Sequence, residues 1–439
     1  MRHKKVSRFQ FFANFAKQKK LMANGQWLIA PKKTMEEFFI YELSNGIRCI
    51  HRQTKSGVAR CAIMINAGTR DERKGEEGIA HFTEHGFFKG TEHRKAYQVN
   101  CRLENLGGEL NAYTTKEDTT VHAPVLRGDF TKAVELVADV VFHSTFPDHE
   151  LDKEREVILD EINTYRDSPM DAIYDEYEDL IFAGSELGHN ILGTPRSLKK
   201  INSEAIHRFR ERTHTTDKMV FASIGNISPK RIKEIAERYL GIYAPTKRDY
   251  ERVAPTLVEP FEKTLNKHTH QAHCIIGARA YNLRDNRRLP YALFTNILGG
   301  PCANSRLNVS VRERNGLTYN IGASYSSLSD CGLATIYFSS DHENSERCRE
   351  IIGREVKRLQ DSALSTRQLS MAKRQFVAQL AIVNEAAEGY MLGVGKSLLA
   401  YGEVDTLEES YRKINAVTAS EIMEVANEVW REPSVLLYK

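Results

Sequence analysis

His81-Phe82-Thr83-Glu84-His85 lies in an apolar-rich segment that begins after Gly78 and runs to Phe88. Coiled as a helix, it puts His81 and His85 at i and i+4 on one face, with the Glu84 carboxylate beside them. Two imidazoles so placed can hold one zinc ion. A third ligand must come from elsewhere, and a fourth position stays open for water. Glu84 is then placed to take that water's proton. The order His-x-x-Glu-His is the reverse of the commoner His-Glu-x-x-His zinc motif. A helix that merely carries two surface imidazoles and a carboxylate remains the alternative at this point.

Outward from the motif, Ile79, Phe82 and Phe87 face a core. Upstream, Phe39-Ile40-Tyr41 and Ile47-Arg48-Cys49-Ile50 read as strands about a Ser44-Asn45-Gly46 turn. Ala59 to Ala67 follows as a buried strand. Downstream come a helix from Tyr97 to Leu106, stopped by Gly107-Gly108, and two strands, Leu110 to Thr114 and Thr119 to Ala123. An amphipathic helix spans Asp129 to Val141. The spacing predicts a further helix over Leu151 to Tyr165, with Asp148 as its N-cap. On it Glu154 and Glu161 are seven apart, off the apolar Val157, Ile158 and Ile162; carboxylates so placed are usually solvated. Helices over 171–182, 203–213 and 228–240 and a strand over 219–224 complete this half.

The 439 residues suit two domains of about 200 each. With 62 Lys and Arg against 58 Asp and Glu, the net charge of +4 gives no footprint for nucleic acid. No apolar run approaches the ~20 residues of a membrane helix. Seven single Cys, none in a Cys-x-x-Cys pair, fit a reducing compartment and small core residues rather than a disulfide framework. Residues 1–34 stand apart as a basic extension with nine Lys or Arg and no acid. Either the fold begins near Met35 in a cytoplasmic protein, or residues 1–34 are a transit peptide to the mitochondrial matrix.

Residues 243–260, with Pro245, Pro255 and Pro260 among charges, read as a linker between a first domain at 35–242 and a second at 261–439. Beyond the linker the pattern repeats. Strand 272–278, helix 291–298, strands 317–327 and 333–340 and the amphipathic helix 343–359 follow the order of the first half. Cys61 and Cys274 match at an offset of 213, and Gly107 and Gly316 at 209. The second copy has no His pair. The expected fold is therefore α+β, two homologous α/β domains from an internal duplication, each a mostly antiparallel sheet covered by helices.

Four ordered segments carry a resemblance. They are Gly78 to His85 with Phe88 to Thr91, Gly107-Gly108-x-x-Asn111-Ala112-x-Thr114, Glu154 to Glu161, and Arg312-Glu-Arg-Asn-Gly316-Leu-Thr-Tyr319. From about Phe38 to its end the chain resembles the pitrilysin and insulysin type of inverzincin zinc metallopeptidases, close to the mitochondrial processing peptidase and its bacterial relatives. The resemblance implies one Zn2+ per chain on His81, His85 and Glu161, the last 76 residues after His85. It implies Glu84 as general base on a zinc-activated water and Glu154 as support for the site. Asn111, Ala112 and Thr114 would lie on a strand that pairs with the peptide substrate. Arg312 and Tyr319, otherwise readable as a surface Arg and a core Tyr, would steady the scissile carbonyl and its oxyanion. Where the family often has a Tyr shortly after Thr119, this chain has Val121 and His122.

The family's active unit is a clamshell of four such domains, so two domains form half of it. A homodimer in which Arg312 and Tyr319 of one copy complete the zinc site of the other is the implied assembly. Two rival readings are a non-catalytic structural subunit of the same fold and a catalytic subunit that needs a separate partner chain. Retention of His81, Glu84, His85 and Glu161 argues against the first, and retention of Arg312 and Tyr319 against the second.

Overall fold

The computed structural model describes residues 38–439; the basic extension 1–34 and Met35 lie outside the described residues. Among the described residues, eleven strands form two sheets. The first comprises β1 (Phe39–Glu42), β2 (Arg48–Gln53), β3 (Val58–Ile65), β4 (Asn111–Thr114), β5 (Thr119–Leu126) and β6 (Met219–Gly225). The second comprises β7 (Glu262–Leu265), β8 (Ala272–Ala280), β9 (Asn320–Ser327), β10 (Gly332–Ser340) and β11 (Ser434–Tyr438). Their helices are α1 (Ile79–Gly86), α2 (Ala96–Glu104), α3 (Phe130–His143), α4 (Asp148–Arg166), α5 (Pro169–Ile181), α6 (Pro195–Leu198), α7 (Ser203–Thr213) and α8 (Pro229–Tyr239). Then follow α9 (Arg288–Gly299), α10 (Ser345–Asp361), α11 (Thr366–Asn384), α12 (Ala387–Tyr401), α13 (Leu407–Ala416) and α14 (Ala419–Val429).

The duplication is visible strand for strand. The order β1-β2-β6-β3-β5-β4 in the first sheet matches β7-β11-β8-β10-β9 in the second, with β1 the added edge. Each sheet has one parallel pairing, β2 with β6 and β7 with β11, in corresponding places. The remaining pairings are antiparallel. Cys61 and Cys274 sit in the corresponding strands β3 and β8, and both are fully buried. All seven Cys are free and five of them are buried, as their scatter suggested.

Both faces of each sheet are covered, which is why β3 and β10 read as continuous apolar runs rather than alternating ones. On the first sheet Ile63, Ile65, Val121 and Ala123 pack against Ala133, Val134 and Val137 of α3. The opposite face, with Ala62, Met64, Val220 and Ala222, is covered by Tyr390, Met391 and Leu398 of α12, which comes from the far end of the chain. The exchange is mutual: Ile173, Tyr177 and Ile181 of α5 cover Ile275, Leu333, Tyr337 and Leu436 of the second sheet. The sequence division at 243–260 thus follows the sheets but not the helices, and a linear reading could not show that each half lends a helix to the other. His122, on β5, faces α12, where its Nδ1 lies 2.9 Å from Glu388.

Residues 243–260 hold no regular structure, yet they are not a loose tether. The Tyr243 ring stacks on Phe142 with centroids 3.7 Å apart, and Arg252 pairs with the buried Asp71 at 2.7 Å. Arg70, itself buried, reaches from the first half to Asp330 of the second. Two local expectations are corrected. Asp148 is the first residue of α4 rather than its cap, which is Pro147, and its carboxylate accepts from the Ser203 N–H at 2.9 Å. Glu154 lies on the buried stripe Leu151-Glu154-Ile158-Ile162 rather than beside it, because the i, i+3, i+4 rhythm that buries the apolar residues includes position 154.

Candidate zinc active site

The helix α1 that carries the motif is only eight residues long, so its position depends on what holds its ends. Gly78, at its N-cap, has φ +92°, and a Cβ there would come within 2.7 Å of the Leu192 carbonyl oxygen. No Ser, Thr or Asp caps the helix from that position. Instead the Glu72 carboxylate accepts from the N–H groups of Gly78 at 3.0 Å and Ala80 at 2.9 Å. His189 Nε2 donates to the same carboxylate at 2.8 Å. Burial pushes the Glu72 carboxyl up, opposed by His189 and the two N–H groups. Replacement Glu72→Ala leaves two buried N–H groups unpaired, at a cost of about 1–3 kcal/mol each. Thermal unfolding is expected at a clearly lower temperature, with zinc affinity down about 10–100-fold; equal zinc affinity in both proteins contradicts this role.

Two turns of α1 and one of α4 then converge. His81 Nε2 lies 3.8 Å and His85 Nε2 3.7 Å from Glu161 Oε2. Donors bound to a tetrahedral zinc at about 2.1 Å are about 3.4 Å apart, so each imidazole need close on Glu161 only by tenths of an ångström. All three donor atoms lie within 4.8 Å of one another. Two imidazoles and one carboxylate are the donor set of a catalytic zinc with one position open; the residues fit the ion.

Glu154 orients the site. His85 Nδ1 donates to Glu154 Oε2 at 3.0 Å, which leaves Nε2 for the metal, and Lys89 Nζ binds Glu154 Oε1 at 2.5 Å. Burial would raise the Glu154 carboxyl, but His85 and Lys89 hold it below its ordinary value. For His85 burial is likewise outweighed, by Glu154, Glu84 and Glu161, and the imidazole is pushed up. The same surplus of negative charge favours a divalent cation. Burial raises the Glu84 carboxyl, with Glu161 adding to it, while His85 and the hydroxyl and N–H of Thr114 pull it down. A carboxylate raised toward neutrality is a better proton acceptor.

Thr114 belongs to β4, which packs against α1 and is the outermost strand of its sheet, bonded to β5 alone. Asn111 is exposed, and its Oδ1 accepts from the Ala112 N–H at 2.8 Å. The structure therefore brings His81, Glu84, His85, Glu154, Glu161 and Thr114 together, with Asn111 and Ala112 along the same strand. Arg312 and Tyr319 are elsewhere. Arg312 lies near the end of a π-helical turn, Asn308–Glu313, and pairs with its neighbour Glu313 at 2.8 Å. Tyr319, just before β9, is 94% exposed. It is not the core Tyr its sequence setting allowed, and a phenol so exposed does not touch the zinc triad of its own chain.

The profile of Insulinase (Peptidase family M16) matches residues 48–195, and that of the Peptidase M16 inactive domain matches residues 200–376. The uncharacterized zinc protease YmxG of Bacillus subtilis is 32% identical over 402 residues, covering 90% of this chain and 96% of its own. The chain belongs to peptidase family M16. A zinc protease of Rickettsia bellii is 29% identical to this M16 chain, over 90% of it and 95% of the relative. A protease structure from Helicobacter pylori superposes with a TM-score of 0.84 at 18% identity, covering 92% and 99% of the two chains. A Pseudomonas fluorescens structure described as a peptidase M16 inactive domain gives 0.84 at 17%, covering 91% and 98%. These two show the fold.

Three members of the M16 site escaped the sequence reading. Glu72 and His189 are lone residues in polar loops, 117 positions apart, with nothing local to mark them. Lys89 stood within the quoted Phe88-Lys89-Gly90-Thr91; its spacing of four from His85 was the available signal, since both then meet Glu154.

Proposed function

We propose that this M16 chain is a zinc metalloendopeptidase that hydrolyses extended peptides or small unfolded polypeptides in the cytoplasm. The observation that supports it most is the convergence of His81, His85 and Glu161 beside a Glu84 carboxyl raised by burial. Zinc held there supplies a Lewis acid that polarises a carbonyl and makes water a nucleophile near neutral pH. Glu84 takes the proton of the attacking water and delivers it to the leaving amine. Thr114 steadies the Glu84 carboxylate. The free edge of β4 pairs with the substrate backbone, so that Asn111 and Ala112 set the register of the extended peptide. Arg312, paired with Glu313, and the exposed Tyr319 act on the oxyanion in a second copy of the chain, which makes the active species a homodimer.

Removal of the metal tests the reading. Hydrolysis of a quenched peptide is expected to stop in chelator-treated protein and to return when Zn2+ is added back. Undiminished hydrolysis by protein shown to be zinc-free would overturn it.

A further inference from the structure

A second group of metal-binding side chains lies at the C-terminal end of α3. Glu92, His93 and His143 place one donor atom each within 4.8 Å of one another, as the zinc triad does. The two imidazole rings meet edge to face, with centroids 4.7 Å apart. Each ring is fixed through one nitrogen. His93 Nδ1 donates to Asp139 Oδ1 at 2.6 Å, which leaves its Nε2 free to ligate. His143 Nε2 and the Tyr243 hydroxyl are 2.9 Å apart, which leaves Nδ1 facing Glu92 Oε2 at 3.3 Å. A buried carboxylate behind a ligating imidazole is the arrangement that sets tautomer and ring angle at metal sites. Asp139 is 5% exposed. Burial would raise its carboxyl, but His93, Thr91 and Arg94 hold it below its ordinary value, so it stays an acceptor.

The backbone is equally fixed. The Glu92 N–H donates to the His143 carbonyl at 2.9 Å, and the Thr91 N–H to that of Arg94 at 2.7 Å, so the turn and the helix end are joined before any ion arrives. Opposing this, Arg94 shares Asp139 and places a positive charge near the group. The bland account is therefore two separate pairs, His93 with Asp139 and His143 with Glu92. That account, with the Glu92–His143 backbone bond, explains both pairs, but it gives no reason for the His93 ring to close edge to face on that of His143. The separate pairs would hold as well with the rings apart.

We propose that Glu92, His93 and His143 form a second site for a borderline divalent cation of the zinc class. Two imidazoles and one carboxylate select such ions over Mg2+ or Ca2+, and water fills the remaining positions. A bound ion fastens the turn after Gly90 to the end of α3. That turn begins beside Lys89, whose ammonium holds Glu154 and through it His85. The site shares no residue with the His81, His85 and Glu161 triad.

Zn2+ alone is the probe. The full chain, equilibrated at buffered micromolar free Zn2+, is expected to hold two equivalents by elemental analysis, and His81→Asn/His85→Asn one. His93→Asn/His143→Asn is expected to hold one and to keep its peptide hydrolysis. Cu2+ bound to His81→Asn/His85→Asn should show nitrogen hyperfine structure from two imidazoles, lost when His93 and His143 are also replaced. If the His81 and His85 replacements unfold the chain, Glu161→Gln serves for the same count. A wild-type chain with one equivalent, or His93→Asn/His143→Asn with as much zinc as wild type, would overturn the site.

Discussion

Glu84→Gln is expected to lower peptide hydrolysis by about 10²–10⁴-fold, the range for loss of a general base, with the zinc content unchanged. Gln keeps the shape of Glu and can still meet Thr114, so α1 and its two imidazoles stay in place. His85 keeps the partner that orients it, since its Nδ1 donates to Glu154 Oε2 at 3.0 Å. What is lost is the capacity to accept a proton at Glu84, the carboxylate beside the triad that burial raises, whereas Glu154 is engaged by His85 and Lys89. Zinc measured on the same sample separates this from loss of the metal. Near-wild-type hydrolysis with full zinc would place the base elsewhere.

The second large effect comes from two inactive chains mixed together. Arg312→Ala is expected to reduce hydrolysis by about 10²–10³-fold, as for removal of one oxyanion donor. Tyr319 is 94% exposed, and Arg312, partly exposed, pairs with its neighbour Glu313. In a homodimer with sites completed across the interface, a Glu84→Gln chain lends its intact Arg312 to the intact triad of an Arg312→Ala chain. One of the two sites in each mixed dimer is then whole. Statistical exchange makes about half of the dimers mixed, so the mixture should recover about a quarter of wild-type activity. Absence of recovery after proven subunit exchange counts against completion in trans.

Much of this was legible in sequence because it follows short-range periodicity. The i, i+4 imidazoles of α1, the apolar rhythm of α3 and α4, and the matched positions of Cys61 and Cys274 each depend on residues read over one helix or one repeat. The duplication appears again as matching strand orders with one parallel pairing in each sheet. The exchange of α5 and α12 was hidden, because an amphipathic pattern shows that a helix covers something and not which sheet it covers. Glu154 was misjudged since charge usually marks the solvent face, and here His85 and Lys89 compensate its burial. Glu72 and His189 were invisible for a related reason: a cap delivered from a distant loop leaves no spacing to count. Residues 243–260 looked like a tether by composition, and became an ordered strap only through Tyr243, Tyr250 and Arg252 meeting partners far away in sequence.

The assignment of Glu161 as third ligand is the step that joins the motif to a working site, and zinc content measured beside hydrolysis tests it most directly. Wild type and Glu161→Gln are compared by elemental analysis and with a quenched peptide. The substitution is expected to remove one zinc equivalent and to abolish hydrolysis together. Full activity with an undiminished zinc count in the Glu161→Gln protein would contradict the triad.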